Sequence, residues 1–261
     1  MKRKLLLLII IIFAVTVFVD SRTGIFYGPP AQTGRIIWHG NPGMNQIALT
    51  FDDGPSWKYT AKVLNILKKY NVKATFFVVG EHIKPNKKLI ARMNKEGHSI
   101  GNHTYYHIDG RVVKQKKIWN NIYYTSVLIK RMTGKKAAYF RPTYGYVNWR
   151  FLKEAEKLDL QTILWSIDAG EWNGKISKEN IINRVVSNTR NGSIILLHDG
   201  GSSKEAVIAA LPVIIKKLKS KGFEFVTIPE MMNNLDQNII FSGKPPDIVS
   251  QLKNGKYFKN F

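Results

Sequence analysis

The sequence predicts an α/β protein with a parallel sheet, most simply a (β/α) barrel. Short apolar runs of the kind that form buried strands alternate with longer segments in which apolar residues recur at helical spacing. Polar residues able to do chemistry follow several of the apolar runs, which is where a parallel barrel carries its active site. At 261 residues the chain is long enough to build one such barrel.

The first elements set the pattern of the fold. Residues 47–51 are a continuous apolar run that predicts a buried strand, residues 63–70 have helical periodicity, and residues 74–79 predict a second buried strand. Strand, helix and strand in this order indicate a parallel βαβ unit. The later predicted elements are a helix over 87–96, a strand at 99–101, a helix over 113–132, a strand at 139–140, a helix over 149–158, a strand over 160–166, a helix over 177–189, a strand over 193–197, a helix over 205–220 and a strand over 223–226.

Composition excludes several kinds of site. The chain has no cysteine, which excludes a disulfide framework, a thiol nucleophile and a zinc site built on thiolates. Any metal must therefore be held by histidine and carboxylate. The formal net charge of +22 predicts attraction to a polyanion, whether nucleic acid, anionic lipid or an anionic cell wall.

The N-terminus discriminates between those partners. A basic cluster at residues 2–4 precedes an apolar run at residues 5–19, the pattern of an export signal. The run is shorter than the roughly 20 residues of a membrane span, which favours a cleaved signal peptide. Residues 17–20 offer no small-residue cleavage site, however, and we favour an uncleaved signal anchor. We therefore expect an extracytoplasmic protein attached to the membrane by its N-terminal segment, with no nucleic-acid partner and with affinity for the anionic cell envelope.

The remaining composition divides the chain into segments. Residues 20–44 are rich in glycine and proline and are predicted to be a linker. Residues 45–233 carry the alternating strands and helices and are predicted to be the catalytic domain. Residues 234–261 are polar and are predicted to be a C-terminal extension.

Two pairs of residues suggest a metal site. Asp52 and Asp53 follow the first buried strand, where neighbouring carboxylates need a compensating cation, a shared proton or a metal. The alternative is that Asp53 or Ser56 caps a helix beginning nearby. His103 and His107 have i, i+4 spacing, which on a helical turn would place both imidazoles on one face. The histidine pair contains no internal glutamate, so Asp52 would supply the base if Asp53 is the third ligand.

Five motifs together resemble the polysaccharide deacetylases of carbohydrate esterase family 4. In the order and approximate spacing of that family, and over about residues 45–230, the chain carries TFDDG, HTYYH, RPTY, WSIDAGEW and LLH. The resemblance implies a distorted (β/α) barrel with a divalent metal, usually zinc and alternatively cobalt. It also implies removal of N- or O-acetyl groups from chitin-like polymers, peptidoglycan or xylan.

The resemblance assigns roles to the first three motifs. It implies that Asp52 is the general base and that Asp53, His103 and His107 hold the metal. Arg141 matches the residue that holds the base in place, which a guanidinium can do while keeping the carboxylate ionised.

The other matching positions concern the substrate and the leaving group. Tyr144 matches the position whose backbone N–H stabilises the tetrahedral oxyanion. His198 matches the general acid that protonates the leaving amine. Trp172 and Leu196 match positions that form an apolar pocket for the acetyl methyl group.

One motif departs from the family. Its members carry Asp immediately before the tryptophan of the fourth motif, whereas this chain has Glu171 before Trp172, with Asp168 at the expected earlier position. The carboxylate is kept but lengthened by one methylene. We expect it to orient Arg141 or to tune His198.

Three functional hypotheses use this pattern. The first is an envelope-anchored, metal-dependent hydrolase that deacetylates N-acetylated glycans, with peptidoglycan or a chitin-like polymer as substrate. The second is a catalytically impaired carbohydrate-binding or wall-tethering protein that keeps the fold. The third is an O-acetyl xylan esterase, which would use the same residues. The presence of a base, three ligands and an acid favours an enzyme over the second hypothesis.

Overall fold

The structure is a computed structural model that describes residues 36–172 and 175–234, together with two short strands nearer the N-terminus. These two, β1 (Phe18–Val19) and β2 (Phe26–Tyr27), pair antiparallel. The predicted signal segment at residues 1–19, apart from β1, and nearly all of the predicted C-terminal extension lie outside the described residues. Among the described helices, none combines the length and the apolar character needed to span a bilayer.

Nine strands of the described chain form one parallel sheet that curls into an incomplete barrel. They are β3 (Ile36–Ile37), β4 (Gln46–Asp52), β5 (Thr75–Val78), β6 (Ser99–Asn102), β7 (Tyr139–Phe140), β8 (Gln161–Ile163), β9 (Ile167–Asp168), β10 (Ile194–His198) and β11 (Glu224–Phe225). Their order around the sheet is β3-β8-β7-β6-β5-β4-β10-β9, and β11 pairs with β4. The predicted α/β barrel is therefore confirmed, in an open form.

Helices connect the strands and cover the outside of the sheet. They are α1 (Thr60–Lys69), α2 (Gly80–Ile83), α3 (Lys87–Lys95), α4 (Gln115–Thr133), α5 (Trp149–Glu156), α6 (Lys178–Asn188), α7 (Glu205–Ser220) and α8 (Ile228–Asn233). A single 3₁₀ turn, Thr143–Gly145, precedes α5. Among the longer predicted helices, α7 has the predicted bounds and the others differ by one to three residues at an end.

The capping hypothesis for the paired aspartates is wrong. Helix α1 begins at Thr60, and its N-cap residue Tyr59 makes no side-chain capping bond. Ser56 donates its backbone N–H to the Thr60 hydroxyl instead of capping the helix with its own side chain. Asp53 therefore has a different role from helix capping.

The predicted linker at residues 20–44 includes part of the sheet. Ile36 and Ile37 form β3, which pairs in parallel with β8 at Thr162 and Ile163. An apolar run of two residues between glycine-rich stretches is too short to show strand periodicity. The sheet therefore begins before residue 45, the predicted start of the catalytic domain.

The packing explains why β4 lies at the centre. All seven of its residues are buried, because it has neighbours within the sheet on both sides and is covered on both faces. The outward-facing residues join the helices in the larger core. The inward-facing residues of several strands form a smaller cluster inside the barrel that includes Ala48, Phe77, Trp165 and Leu196.

Since the strands are parallel, their carboxyl ends meet at one edge of the barrel. Asp52 ends β4 directly beside His198, which ends β10. Asn102 ends β6 and pairs with Phe140 at the end of β7. The motif residues that follow these strands are therefore brought to the same edge.

The placement of β3 can be tested by truncating its buried side chain. Ile37 is 8% exposed, so Ile37→Ala should lower the free energy of unfolding by about 2 kcal/mol or more. Ile36→Ala, at the half-buried neighbouring position, should cost less and serves as the matched control. Urea unfolding followed by circular dichroism measures both. Equal, negligible effects would mean that residues 36 and 37 behave as a linker.

Candidate active site

A buried ion pair stands at the centre of the site. Asp52 at the end of β4 accepts a hydrogen bond from Arg141 Nη1 at 2.8 Å, and both side chains are buried. The same Nη1 donates to the Thr50 hydroxyl at 2.8 Å. The other guanidinium nitrogens donate to the carbonyls of Ile163 at 3.2 Å and Leu164 at 3.0 Å. Arg141 is thus fixed by two acceptors on β4 and two at and just after the end of β8, and it fixes one carboxylate oxygen of Asp52.

Aromatic rings complete the enclosure of Arg141. The guanidinium carbon lies 4.1 Å from the centre of the Phe77 ring and 5.5 Å from that of Trp165. Both contacts are favourable for a cation. Burial lowers the pKa of Arg141, while the charge and hydrogen bond of Asp52 act in the opposite direction. Because the ordinary pKa of arginine is so high, the group stays charged at neutral pH.

The three predicted metal ligands lie together. Asp53 Oδ1 is 3.4 Å from His103 Nε2 and 3.1 Å from His107 Nε2, and candidate ligand atoms of the three residues all lie within 4.8 Å of one another. Burial alone would raise the pKa of Asp53, but the facing imidazoles of His103 and His107 and the nearby charge of His198 hold it well below its usual value. Asp53 is therefore ionised and directed at two imidazole nitrogens.

The two histidines are oriented by different contacts. His103 Nδ1 donates to the backbone carbonyl of Arg141 at 2.8 Å, which fixes the tautomer and leaves Nε2 facing Asp53. The ring of His107 meets the ring of Tyr144 edge to face, with centroids 4.6 Å apart. His103, a candidate metal ligand, and Asp52, the candidate base, are thus both held by Arg141.

The histidine pair does not lie on a helical turn. Residues 103–107 form a loop in which Thr104 and His107 have positive φ values of 64° and 48°. An i, i+4 pair can therefore converge through a bent loop as well as through a helix. The two imidazoles converge as predicted. The helical turn that was expected to bring them together is absent from residues 103–107.

Buried asparagines hold this loop in its bent shape. Asn102 Oδ1 accepts the N–H of Thr104 at 2.8 Å, while its Nδ2 donates to the carbonyl of Ile122 in α4. Asn121, also in α4 and 4% exposed, accepts from the backbone N–H groups of Tyr105 and Tyr106 at 3.2 and 2.9 Å. Helix α4 therefore supports the loop that carries two of the three candidate ligands.

A second ion pair lies beside the first. Glu171 is buried and accepts from the backbone N–H of His198 at 2.6 Å and from His198 Nδ1 at 2.9 Å. Burial alone would lower the pKa of His198, but Glu171, together with Asp53 and Asp52, raises it to about 9. Of the two expected partners of Glu171, it is His198 and not Arg141 that the carboxylate contacts. The longer glutamate reaches both the backbone and the ring of one residue.

Tyr144 takes up an unusual backbone conformation at the rim. It lies in the 3₁₀ turn with φ of 59° and is about half exposed. A positive φ is costly for a residue with a side chain, and such strain concentrates at functional sites. Of the two predicted pocket residues, Leu196 lies inside the barrel among the smaller cluster, and Trp172 follows Glu171 and accepts a hydrogen bond from the Ser202 hydroxyl through its carbonyl.

Known proteins match both the sequence and this geometry. A family model described as polysaccharide deacetylase matches residues 39–163. A peptidoglycan-N-acetylglucosamine deacetylase of Bacillus cereus is 39% identical over 202 residues, which cover 77% of this chain and 94% of that protein. The chain belongs to the polysaccharide deacetylase family. It is accordingly a hydrolase of carbohydrate esterase family 4.

Solved structures of other deacetylases share the fold. The crystal structure of a peptidoglycan N-acetylglucosamine deacetylase in complex with a hydroxamate-type benzamide has a TM-score of 0.74 at 35% identity, covering 83% of this chain and 97% of that one. A family 4 acetyl xylan esterase from Clostridium thermocellum in complex with a cobalt ion has a TM-score of 0.68 at 34% identity, and the match covers 75% of this chain and 96% of that one. The curled sheet of this deacetylase is therefore the family's barrel.

Sequence reasoning missed several residues that shape the site of this deacetylase. Thr50, Trp165 and Asn121 support the ion pair and the histidine loop. Asp199 is buried beside the DDG turn, where it accepts from the Thr60 hydroxyl at 2.5 Å, and burial raises its pKa to about 7. A Cβ atom at Gly54 would collide with the Asp199 carboxylate, which explains the glycine. Asp199 follows the LLH motif and is one of the polar residues at the predicted strand ends, although no role was predicted for it.

The Glu171 contact predicts the titration of His198. Its pKa lies above the ordinary 6.5, so the pair contributes stability that is fully present below pH 6.5 and is lost as pH rises through about 9. Glu171→Gln should lower the pKa of His198 and reduce the catalytic rate by about 10- to 100-fold, with little change in substrate affinity. NMR titration of the metal-free protein and steady-state kinetics measure the two effects. Asp168→Asn is the control, and an unchanged His198 titration in Glu171→Gln would contradict the assignment.

The asparagine support of the histidine loop gives a further prediction. Asn121→Leu keeps the side-chain size but removes the acceptor for two backbone N–H groups. The affinity for zinc or cobalt should fall by about 10- to 100-fold, the usual cost of losing an outer contact of a metal site. Calorimetric titration of the chelator-treated protein measures the affinity. Asn120→Leu, one position along α4, should leave it unchanged; equal losses in both variants would show a general effect on the helix.

Proposed function

We propose that this deacetylase is a metal-dependent enzyme that removes the acetyl group from N-acetylglucosamine units of peptidoglycan. The observation that carries the proposal is the placement of two oriented ion pairs beside one three-ligand cluster. Asp52, which is paired with Arg141, and His198, which is paired with Glu171, end two neighbouring strands. Asp53 follows Asp52 directly. The names of the relatives support the choice of peptidoglycan and of N-acetylglucosamine.

The cluster of Asp53, His103 and His107 fits a divalent cation. The buried Asp53 Oδ1 has no hydrogen-bond partner within the described part of the chain, although it faces two imidazole nitrogens. One carboxylate and two imidazoles are ligands that suit zinc, and cobalt accepts the same set. When bound there, such an ion would polarise the acetyl carbonyl and lower the pKa of a water molecule.

Asp52 acts as the base. Arg141 occupies its Oδ1 with a hydrogen bond from Nη1. Its Oδ2 is directed toward the cluster, 3.8 Å from His103 Nε2, and is available to accept a proton. As the water oxygen attacks the acetyl carbon, Asp52 takes the proton that the water loses.

His198 acts as the acid. Its Nδ1–H donates a hydrogen bond to Glu171, so Nε2 is the nitrogen that can donate a proton to the substrate. With a pKa near 9, the imidazole is protonated at neutral pH and can donate to the leaving nitrogen as the carbon–nitrogen bond breaks. The products are acetate and the free amine. The backbone N–H of Tyr144 stabilises the oxyanion, and Trp172 with Leu196 receives the acetyl methyl group.

The cellular setting follows from composition. The apolar segment at residues 5–19 anchors the protein in the membrane with its catalytic domain outside the cytoplasm. The net charge of +22 favours contact with an anionic envelope. Fractionation of cells should find the protein in the membrane with its N-terminus intact, whereas a mature form in the medium that begins near Ser21 would indicate a cleaved signal.

Acetate release from purified polymers tests the proposed substrate. The enzyme loaded with zinc or cobalt should release acetate from peptidoglycan faster than from chitin oligomers or acetylated xylan, and a chelator should abolish the release. Release from acetylated xylan alone would make the protein an O-acetyl esterase. No release from any polymer by the metal-loaded protein would favour the catalytically impaired alternative.

The division between base and ligand is tested by two substitutions. Asp52→Asn should abolish turnover and leave the metal content nearly intact, because the amide can still accept from Arg141 but cannot take a proton. His103→Ala should lose both turnover and metal, because it removes a ligand. The metal content and the rate of acetate release of each variant are measured side by side. Equal metal loss in both variants would reverse the assignment.

A further inference from the structure

The outer side of α4 carries a cluster of exposed apolar side chains. Tyr123, Tyr124 and Val127 are 41%, 53% and 42% exposed, and Trp119 lies one turn before Tyr123. The rings of Trp119 and Tyr123 stack with centroids 5.7 Å apart, and Tyr124 meets Tyr123 at 5.6 Å. We call these four residues the α4 face. A contiguous exposed apolar surface of this kind marks an interaction site.

The face results from the helical period. Ile118, Ile122, Thr125 and Ile129 of the same helix are buried against the barrel, which leaves the opposite side of α4 to solvent. Gln115–Thr133 is the longest described helix, and at 1.5 Å per residue it extends about 28 Å. The α4 face is therefore a stripe in the middle of a long helix, and at Trp119 it borders a cavity that is also lined by Gln115, Lys116, Glu154 and Lys157.

Cations flank this stripe at both ends. Residues 113–136 contain seven lysines and arginines and no acidic residue: Lys114, Lys116, Lys117, Lys130, Arg131, Lys135 and Lys136. Lys136 pairs with Asp159. None of the other six forms a salt bridge with a described acidic residue. The surface is thus apolar and aromatic in the middle and positively charged at each end.

The adjacent helix continues the pattern. Trp149 of α5 is 49% exposed, and Lys153 lies 6.0 Å from the centre of its ring. Lys157 lies 5.8 Å from the ring of Trp119 but is paired with Glu154, so it adds no free charge. Aromatic rings and lysines therefore share one side of the barrel formed by α4 and α5.

We propose that the α4 face lies on the surface of an anionic lipid bilayer. Aromatic side chains between lysines and arginines are typical of helices that lie in the membrane interface, where the rings enter the headgroup region and the cations meet lipid phosphates. Each cation near an anionic leaflet strengthens binding by about fivefold. A soluble polyanion would satisfy the cations but would leave the apolar side chains of the α4 face in water. The bilayer therefore accounts for both parts of the surface.

The proposal is independent of the substrate and of the N-terminal segment, and the experiment keeps these separate. The chain has no cysteine, so Val127→Cys allows one environment-sensitive fluorophore to be placed on the α4 face. The full-length protein is reconstituted into vesicles of phosphatidylcholine, with or without one third phosphatidylglycerol. Any insertion of residues 5–19 is common to both vesicle types, whereas docking of α4 should depend on the anionic lipid.

The expected result is a blue-shifted emission of the Val127→Cys label, quenched by brominated lipid, in anionic vesicles only. A label at Lys217→Cys on α7 should stay in water. Lys130→Glu combined with Arg131→Glu should reduce the docking equilibrium by about 25-fold or more, at about fivefold for each cation removed. Lys62→Glu combined with Lys68→Glu on α1 makes the same change in net charge and should leave the label's emission unaltered. Circular dichroism checks that all variants are folded.

Three results would overturn the proposal. The first is a Val127→Cys label that stays in water in both vesicle types. The second is an equal blue shift in neutral and anionic vesicles, or one that survives the substitutions at Lys130 and Arg131. The third is a Val127→Cys label whose emission is unchanged by either vesicle type but shifts on addition of soluble anionic wall polymer, which would make the partner a polymer.

Discussion

The contact between Arg141 and Asp52 is the interaction on which the site depends. Both charges are buried, so removing either partner would leave the other unpaired, at a cost of about 3 to 5 kcal/mol. The side chain of Arg141 holds Asp52, while its backbone carbonyl orients His103. The residue that follows β7 thereby couples the position of the proposed base to that of a proposed metal ligand, and a shift in either would disturb both.

The second ion pair applies the same principle with the charges reversed. Asp52 lies against the guanidinium of Arg141, a cation that is always charged. His198 lies against a buried carboxylate that raises its pKa to about 9, which favours the form that donates a proton. Each of the two groups is thus held beside a buried partner of opposite charge. The barrel achieves this with residues that end two neighbouring strands.

Much of this arrangement could be predicted from the sequence, because apolar runs that end in polar residues carry both fold and site information. The strand ending at Asp52 and the helix Glu205–Ser220 follow directly from periodicity. The bent loop at residues 103–107 could not be predicted, since its shape depends on Asn121, which is 14 residues beyond His107 and lies on another element. The strand Ile36–Ile37 was missed for a similar reason: it is defined by its partner β8, not by its own two residues. Contacts between distant elements leave no local pattern.

The register of β4 and β10 has a consequence for how this family diversifies. Asp52 and His198 are direct neighbours across the two strands, whose separation in any parallel sheet is about 4.8 Å. With Asp52 as the proposed base and His198 as the proposed acid, the reacting acetyl group must fit between two adjacent strand ends, whatever polymer carries it. The rest of the polymer meets only the loops at the rim, which can change in length and sequence without moving the strands. Exchange of rim loops would thus change the substrate while leaving the spacing of Asp52 and His198, set by the strand register, as it is.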